Sequence, residues 1–384
     1  MAANSVVPSA LDRRYYLPEI WATIRQTNAM KFTLLPPGEL SDEHRSLWRD
    51  AQSRDSCVAS PFFSPAFADI VHAVRPQSIV CIIEDDSGQM SFFPFERWGS
   101  IGRPLAGPLS DFQGIIGSVE NLEVVDLVRH CGLSVLDFDH MLAAQPYFTA
   151  YAADIVAAPY VDLTRGFASF EEDRKAAGSS VIAQTRRKHR KLRREIGETK
   201  FVVNDKNPNA LRFLKNWKSQ QYVRTGVYDV FRHAWTTNLL ERILAVDQDE
   251  FAGILSTLYV DDDIVAVHMG MRSRTVWHYW FPAYNPLFER YSPGMILILQ
   301  MIETAHSLGL TSIDLGAGQT KQKSRLTEKS VPVARGWVER PSLRSLRRRF
   351  FRSVKAIFDV PSIAAVLAYP RVASRPFRER KRFQ

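Results

Sequence analysis

KFVVNDKNPNALRFLKNWKSQQ, residues 200–221, has the same outline as KFTLLPPGELSDEHRSLWRDAQ, residues 31–52. Both stretches begin with Lys-Phe and end in glutamine, and Trp48 and Trp217 stand at equivalent places. Each pattern predicts a short strand followed by a helix. A repeat of this length predicts a chain built from two similar halves.

The similarity continues beyond these stretches. IIEDDSGQMSFFPF (82–95) parallels YVDDDIVAVHMGMR (259–272), and both patterns predict two strands joined by an acidic turn. GLSVLDF (132–138) parallels GLTSIDL (309–315) in the same order. The matching letters are few, so the order of elements supports the repeat more strongly than the identities do.

Helices are predicted at roughly 119–131, 180–196 and 293–308, and a closing strand at 331–338. Strands and helices do not alternate strictly, which favours an α/β (α+β) fold with a mixed sheet flanked by helices in each half. The predicted units are an N-terminal extension (1–30), a first half (31–164), a second half (165–340) and a basic helical tail (341–384).

The composition indicates a folded protein, with 45% hydrophobic and 24% charged residues among 384. No uninterrupted apolar run reaches the roughly 18 residues of a membrane span, and the N-terminus lacks a secretion signal. The three cysteines and nine histidines are scattered, without disulfide or metal-ligand spacing. We therefore expect a cytoplasmic protein without a structural metal.

Two segments account for the net charge of +9. Residues 341–384 contain twelve Lys/Arg and two acids, and RRKHRKLRR (186–194) contains seven cations. The internal cluster could follow a phosphate backbone or form a solvated helix face; since no nucleic-acid module accompanies it, the second interpretation is favoured. In the tail, residues 343–358 have the spacing of a basic amphipathic helix, which suits either an anionic membrane surface or docking on the second half.

The most aromatic stretch, WHYWFPAYNPLFERYSPG, occupies residues 277–294. Its first part predicts a strand, and Pro282 predicts a break in that strand's pairing, because proline cannot donate to a sheet. A broken pairing leaves backbone groups free for a ligand. Aromatic strands also pack ordinary cores, so this pattern alone does not identify a site.

The end of the same stretch predicts a helix start. Ser292 can cap the helix, Pro293 suits its first position, and Gly294 permits a close backbone approach. The free N–H groups of a helix start favour anions, and Arg290 could clamp a phosphate. A polyphosphate ligand such as coenzyme A would fit, although the same letters also describe a simple capped helix.

Residues 258–318 resemble the acetyltransferase domain of the CelD/BcsL-type proteins of the GNAT superfamily, which are linked to cellulose and exopolysaccharide biosynthesis. SPFFSPAF (60–67) and GRPLAGPLSDFQGII (102–116) are similar to that family's amino-terminal part. The resemblance covers roughly residues 31–340. The family in turn resembles the Fem-type transferases, which contain two GNAT-like halves, in agreement with the repeat.

The resemblance implies that the second half binds acetyl-CoA or another acyl-CoA and transfers the acyl group to an amine or hydroxyl. The implied donor-binding residues are Tyr279, Phe281, Arg290, Tyr291, Ser292, Gly294 and Met295. Most GNAT members carry a Q/R-x-x-G-x-G/A phosphate loop, and residues 290–294 are a shorter, imperfect version of it.

Direct acyl transfer needs a base and a well-placed acceptor rather than a nucleophilic Ser or Cys. The candidate catalytic residues are Asp314, His278 and Tyr284. Because Asp137 matches Asp314 in the first half, a structural role for Asp314 stays open, as does simple packing for the other two. The candidate acceptor-binding residues are Asp111, Gln113 and Lys323, which could equally be turn or loop residues.

The expected acceptor is a small molecule or saccharide, for example an exopolysaccharide or cellulose precursor. The alternatives are a Fem-type transferase that uses aminoacyl-tRNA and a non-catalytic scaffold at a membrane polysaccharide synthase. Peripheral contact with the inner membrane through residues 343–358 is a further expectation.

Overall fold

The computed structural model describes residues 30–340. The N-terminal extension up to residue 29 and the basic tail from residue 341, with its predicted amphipathic helix at 343–358, lie outside this range. Among the described residues, no helix is both long and apolar enough to cross a membrane.

The described chain folds into strands β1–β12 and helices α1–α10, joined by short 3-10 turns. The strands are β1 Lys31–Leu35, β2 Ser78–Glu84, β3 Met90–Trp98, β4 Ile101–Arg103, β5 Val135–Leu142, β6 Ala152–Asp162, β7 Thr199–Val202, β8 Ala252–Val260, β9 Asp263–Arg272, β10 Val276–Tyr284, β11 Ser312–Asp314 and β12 Ser330–Glu339. The helices are α1 Asp42–Arg54, α2 Pro65–Val74, α3 Val124–His130, α4 Pro146–Thr149, α5 Gly166–Ala176, α6 Val181–Glu195, α7 Pro208–Thr225, α8 Ala234–Leu244, α9 Pro293–Ala305 and α10 Lys321–Leu326.

The predicted mixed α/β fold is confirmed. Both repeated stretches form a strand and then a helix, β1–α1 and β7–α7. Both acidic turns join antiparallel strands, β2–β3 and β8–β9. In both repeats, the strand that starts with Lys-Phe pairs antiparallel with the first strand of the hairpin, β1 with β2 and β7 with β8.

All twelve strands form one sheet, in the order β1-β2-β3-β4-β5-β12-β6-β11-β10-β9-β8-β7. The last strand of the described chain, β12, lies between β5 and β6, and it pairs antiparallel with both. β6, in turn, reaches β11 through Tyr160–Asp162. A strand of the second half, β12, therefore lies between two strands of the first half, β5 and β6, at the centre of the sheet.

A shared hydrophobic core joins the halves. It contains Trp48 and Phe62 from the first repeat and Leu239, Phe281 and Met269 from the second, all buried. Burial of such large side chains supplies the main driving force for association of the halves.

A buried ion pair lies next to this core. Arg75, at the end of α2, donates from Nε and Nη2 to the two oxygens of Glu96 at 3.1 and 2.8 Å. Glu96 is fully buried and also accepts from Trp98 Nε1 at 3.0 Å. The guanidinium stacks on Trp235 of α8, 4.5 Å from the ring centroid. A fully paired arginine therefore links the first half to the second.

Candidate active site

The site is built where β10 and β11 part. These parallel strands pair only at Val276–His278 and Ser312–Asp314. Beyond His278, β10 continues for six residues and pairs with β9 on its other side. β11 ends at Asp314, so the β11-facing edge of β10 opens into a gap whose apex carries His278 and Asp314.

At this apex, a buried imidazole lies between two carboxylates. His278 Nδ1 is 2.8 Å from Asp314 Oδ2 in a hydrogen bond. Its Nε2 is 3.0 Å from Asp111 Oδ2, a contact outside hydrogen-bond geometry. His278 is fully buried, whereas the Asp111 side chain is a quarter exposed. Asp111 comes from the first half, so both halves contribute to the chain of charges Asp111–His278–Asp314.

The two carboxylates control the protonation of His278. Burial alone would lower its pKa, but the attraction of Asp314 and of Asp111 outweighs burial and raises the pKa to about 9. Burial likewise opposes the charged form of Asp111, yet the interaction with His278, with smaller effects of His140 and Lys323, lowers the pKa of Asp111. At neutral pH the free protein therefore holds an imidazolium between two carboxylates.

Asp111 is brought to His278 by contacts on both sides. Trp280 of β10 donates from Nε1 to Leu109 O at 3.1 Å, which ties the Asp111 loop to the strand. On the other side, Gly316 follows Asp314 with φ +72°, and a Cβ placed there would lie 2.8 Å from Asp111 Oδ2. Glycine is needed here because it allows both the left-handed backbone and the close approach.

Lys323 stabilises the loop that follows Asp314. Its Nζ donates to the carbonyl oxygens of Gly316, Ala317 and Gly318 at 2.9, 3.2 and 3.1 Å. Burial lowers the pKa of Lys323, although Asp111 and Asp314 oppose this effect. The predicted acceptor-binding lysine thus lies at the site, with its ammonium bound to backbone oxygens.

Gln113 lies two residues after Asp111. Its backbone N–H donates to His140 O, and its carbonyl accepts from Leu142 N–H, both at 2.9 Å. The side chain is 4% exposed, and both of its amide atoms are buried without a hydrogen-bond partner among the described residues. Because an unpaired buried amide is costly, a polar partner such as a ligand group or water is expected there.

The predicted break at Pro282 is wrong in position. Pro282 pairs with His268 in register, and the irregularity lies between His278 and Phe281. In this bulge, Trp280 N–H donates to His268 Nε2 at 3.2 Å. Burial, reinforced by His278, lowers the pKa of His268 to about 3, so its ring is neutral and can accept this bond. A side-chain acceptor therefore replaces the missing ladder bond.

Pro282 is tolerated because its backbone faces the gap. The N–H of Asn285 donates to Val265 O on β9. The backbone groups of successive residues in a strand point to opposite sides, so the Pro282 carbonyl, three residues earlier, points away from β9. Lys218 of α7 donates to that carbonyl at 3.1 Å. Burial lowers the pKa of Lys218 to about 8.

The predicted helix start is confirmed in position, since α9 begins at Pro293. The predicted side-chain cap by Ser292 is wrong: Ser292 has φ 54°, and its hydroxyl makes no capping bond. Instead, Ser292 Oγ accepts from Lys188 Nζ of α6 at 2.6 Å. Around Gly294, an added Cβ would meet only Tyr284 Cδ1, at 3.6 Å. The helix start is thus open and has a cation beside it.

The other residues of this turn are engaged within the protein. The guanidinium of Arg290 contacts the Tyr291 hydroxyl, lies over that ring, and is 3.9 Å from Glu195 Oε2. Tyr291 is buried and donates to Glu195 at 3.0 Å. Met295 is half-buried against the core beneath α9. Arg290 remains two-thirds exposed, so its side chain can reach a ligand outside the turn.

Three predicted side chains on β10 do not meet at the apex. Tyr279 stacks on His268 with ring centroids 4.7 Å apart, and Phe281 is buried against Phe231. Tyr284 lies at the far end of the strand, six residues from His278, and its hydroxyl contacts Glu289 at 3.4 Å. The distance along an extended strand separates it from the reaction centre by about 20 Å.

The sequence analysis missed the roles of Lys188, Lys218 and His268. Lys188 lies in the basic cluster, but nothing in that cluster distinguishes it from its neighbours. Lys218 and His268 reach β10 from other elements, and no local pattern signals these contacts. Within residues 30–340, no group of three or more His, Cys, Asp and Glu side chains is arranged to hold a metal ion.

Comparison with known families gives a match in the second half. Residues 179–324 match the family model described as the acetyltransferase (GNAT) domain. This segment runs from the start of α6 into α10 and includes His278, Asp314 and the α9 start. No curated protein matches the chain in sequence.

Solved structures are similar to the chain at low sequence identity. FemX is 9% identical, with a TM-score of 0.51, and the match covers 83% of this chain and 99% of FemX. The C-terminal domain of a putative lysylphosphatidylglycerol synthetase from Agrobacterium fabrum is 12% identical, with a TM-score of 0.49 and 81% and 96% coverage. A tandem GNAT protein from the clavulanic acid biosynthesis pathway is 11% identical, with a TM-score of 0.45 and 82% and 99% coverage. Residues 179–324 of this chain are therefore similar to the acetyltransferase (GNAT) domain, and the likeness to FemX supports the fold alone.

Proposed function

We propose that this protein is an acyl-CoA-dependent acyltransferase. It transfers the acyl group of the CoA thioester, which we propose is acetyl, to an amine or hydroxyl of a sugar or polysaccharide precursor. The observation that carries the proposal is the Asp111–His278–Asp314 chain at the apex of the β10–β11 gap. The match of residues 179–324 to an acetyltransferase domain supplies the reaction class. The link to exopolysaccharide or cellulose biosynthesis rests on the resemblance to CelD/BcsL-type proteins.

The gap and the α9 start suit the acyl donor. The gap-facing edge of β10 can lie alongside an extended chain, although its Pro282 carbonyl already accepts from Lys218. At the start of α9, the N–H groups of Met295 and Ile296 donate to Ser292 O, so Gly294 supplies the N–H that can meet a phosphate. Lys188 and Arg290 supply positive charge beside it. In this arrangement Tyr279, Phe281, Ser292, Gly294 and Met295 contribute mainly backbone and packing.

Asp111, His278 and Asp314 provide acid–base chemistry for the acceptor. The acceptor nucleophile attacks the thioester carbon, the carbon–sulfur bond breaks, and the proton passes by way of His278 to the leaving thiolate. Asp314 orients the imidazole through its 2.8 Å hydrogen bond. Asp111 faces both His278 and the cleft, so it can bind the acceptor next to Nε2.

This charge arrangement favours an amine acceptor. An ammonium bound to Asp111 would repel the proton on His278 and lower its pKa, so that this proton leaves to solvent. The neutral imidazole then takes one proton from the ammonium to give the attacking amine, delivers it to the leaving thiolate, and takes the second proton from the nitrogen of the new amide. A hydroxyl brings no such charge. Gln113, with its unpaired buried amide, is suited to bind another polar group of the acceptor.

Calorimetry with acetyl-CoA tests donor binding in the wild type and in Arg290→Ala and Gly294→Glu variants. We expect binding by the wild type, weaker binding by Arg290→Ala, and loss of binding by Gly294→Glu. Absence of binding by the wild type would contradict the proposal. Equal binding by all three proteins would contradict only the phosphate assignment.

Thiol release with glucosamine and glucose as matched acceptors then tests transfer. The proposal expects release with the amine that is strongly reduced by His278→Gln. Salt-sensitive binding of aminoacyl-tRNA without acetyl-CoA binding would instead support the Fem-type alternative. Donor binding without release for any acceptor, together with loss of cellular function on truncation at residue 341, would support a scaffold.

A further inference from the structure

We propose that the outer face of α6 docks the protein onto an anionic membrane surface. This inference does not depend on the proposed reaction. It concerns the described residues of α6 and the neighbouring turn Pro286–Tyr291, not the basic tail.

One face of α6 presents a stripe of cations. Arg187, Arg190, Lys191 and Arg194 are all exposed. Their spacing of three, four and seven residues places them on one side of a helix. The opposite side, with Val181, Ile182, Thr185 and Leu192, is buried. We call the four exposed residues the α6 cationic face.

This face is poorly neutralised within the protein. Neither Arg187 nor Arg190 has an ion pair with another described residue. Lys191 and Arg194 share one acid, Glu195, at 4.0 and 3.2 Å. Other cations of the helix are engaged differently, since Arg186 pairs with Glu171 and Glu303. The α6 cationic face therefore presents an excess positive charge to solvent.

An exposed apolar side chain adjoins the α6 cationic face. The turn Pro286–Tyr291 packs against α6, and its Leu287 is 85% exposed. The same turn touches the α6 cationic face through Tyr291, whose ring centroid is 6.0 Å from Lys191 Nζ. Cations next to large exposed apolar side chains are typical of surfaces that bind the interface of anionic membranes. A surface for single-stranded nucleic acid would instead combine cations with exposed aromatic side chains, and none is exposed on α6 itself.

Docking through this face has a geometric consequence for the site. Lys188 of the same helix contacts Ser292, and Arg290 contacts Glu195. The α6 cationic face therefore lies on the side of the molecule where α9 begins and the β10–β11 gap opens. A membrane-bound protein would have this opening close to the lipid headgroups.

Co-sedimentation of the full chain with vesicles tests the proposal. Vesicles of phosphatidylcholine alone are compared with vesicles that also contain phosphatidylglycerol. The wild type should bind the anionic vesicles and release them as salt increases. The Arg187→Glu/Arg190→Glu variant should bind at least about 25-fold more weakly, because each basic side chain near the surface contributes about fivefold. Leu287→Ser should weaken binding several-fold.

The matched control is Arg49→Glu/Arg54→Glu on α1, which changes the net charge equally at two exposed positions. It should bind nearly as well as the wild type. Equal binding by the wild type and the Arg187→Glu/Arg190→Glu variant would overturn the proposal and leave the tail as the membrane anchor. Loss of tRNA or acetyl-CoA affinity in that variant, with vesicle binding unchanged, would also overturn it.

Discussion

The Arg75–Glu96 pair and the Asp111–His278–Asp314 chain are both buried, and both involve contacts between the two halves. In the first, Glu96 accepts hydrogen bonds from Arg75 and Trp98, and arginine stays charged at every physiological pH. In the second, the central group titrates, one of its nitrogens is poorly aligned with its partner, and Asp111 is partly open to solvent. A fully satisfied charge cluster stabilises the fold, whereas an incompletely satisfied one is available for chemistry.

Removal of one charge from the Arg75–Glu96 pair should have the largest effect on stability. Glu96→Ala leaves the Arg75 guanidinium buried without its carboxylate, and we expect the free energy of unfolding to fall by about 3–5 kcal/mol. Chemical denaturation measures this change. Glu84→Ala, which breaks the exposed 2.9 Å pair with Lys31, is the control and should cost less than about 1 kcal/mol. Similar losses of stability in both variants would contradict the distinction between the buried and the exposed ion pair.

Removal of the central imidazole should chiefly affect activity. We expect His278→Gln to lower kcat by about 10²- to 10⁴-fold, the usual contribution of an acid–base group. Steady-state thiol release, with circular dichroism as a check on folding, measures the effect. His306→Gln changes an exposed histidine after α9 and should leave kcat unaltered. Retention of full activity by His278→Gln would show that the chain of charges is structural.

The protonation of His278 predicts how stability depends on pH. Its pKa is raised to about 9, above the usual value near 6.5. The folded state therefore binds this proton more tightly, and the resulting stability is complete below about pH 6.5 and is lost as the pH rises through about 9. Denaturation midpoints between pH 6 and 9.5 should fall in the wild type, and this fall should be reduced in His278→Gln. An identical pH dependence for both proteins would contradict the raised pKa.

The smallest expected effect concerns the approach of Gly316 to Asp111. Gly316→Ala adds a Cβ 2.8 Å from Asp111 Oδ2, and Gly318→Ala adds one at a similar φ with nothing within 4 Å. Both variants should lose about 1 kcal/mol of stability through backbone strain. Only Gly316→Ala should also lower kcat, because it displaces Asp111 from His278. Equal kcat values for the two variants would argue against a role of Asp111 in catalysis.

The elements of each half could be predicted because strand and helix periodicities are local. The hairpins, the helix at α9 and the strand at β10 all follow from residues within a single stretch. The interlocked centre of the sheet could not be predicted, since β12 pairs with strands about 170 to 200 residues away. Such pairings depend on the whole fold rather than on a local pattern.

The candidate site shows the same division. His278 and Asp314 could be singled out because each is a titratable residue on a predicted strand near the gap. Their contact with Asp111 depends on how the halves pack. Tyr284 was a reasonable candidate by type, but its position on β10 places it at the far end of the strand. The bulge was expected at Pro282, but its position depends on His268, which comes from the neighbouring strand.

The location of β12 has a consequence for synthesis on the ribosome. Residues 31–164 are translated early, yet β5 lacks one of its two neighbours, β12, until residues 330–339 have left the exit tunnel. Until then, one edge of the nascent sheet is open to aggregation or to chaperones. Since β12 also joins β5 to β6, premature termination before residue 330 should leave no half with a complete sheet. The open strand edge is the feature by which cellular quality control would recognise the truncated product.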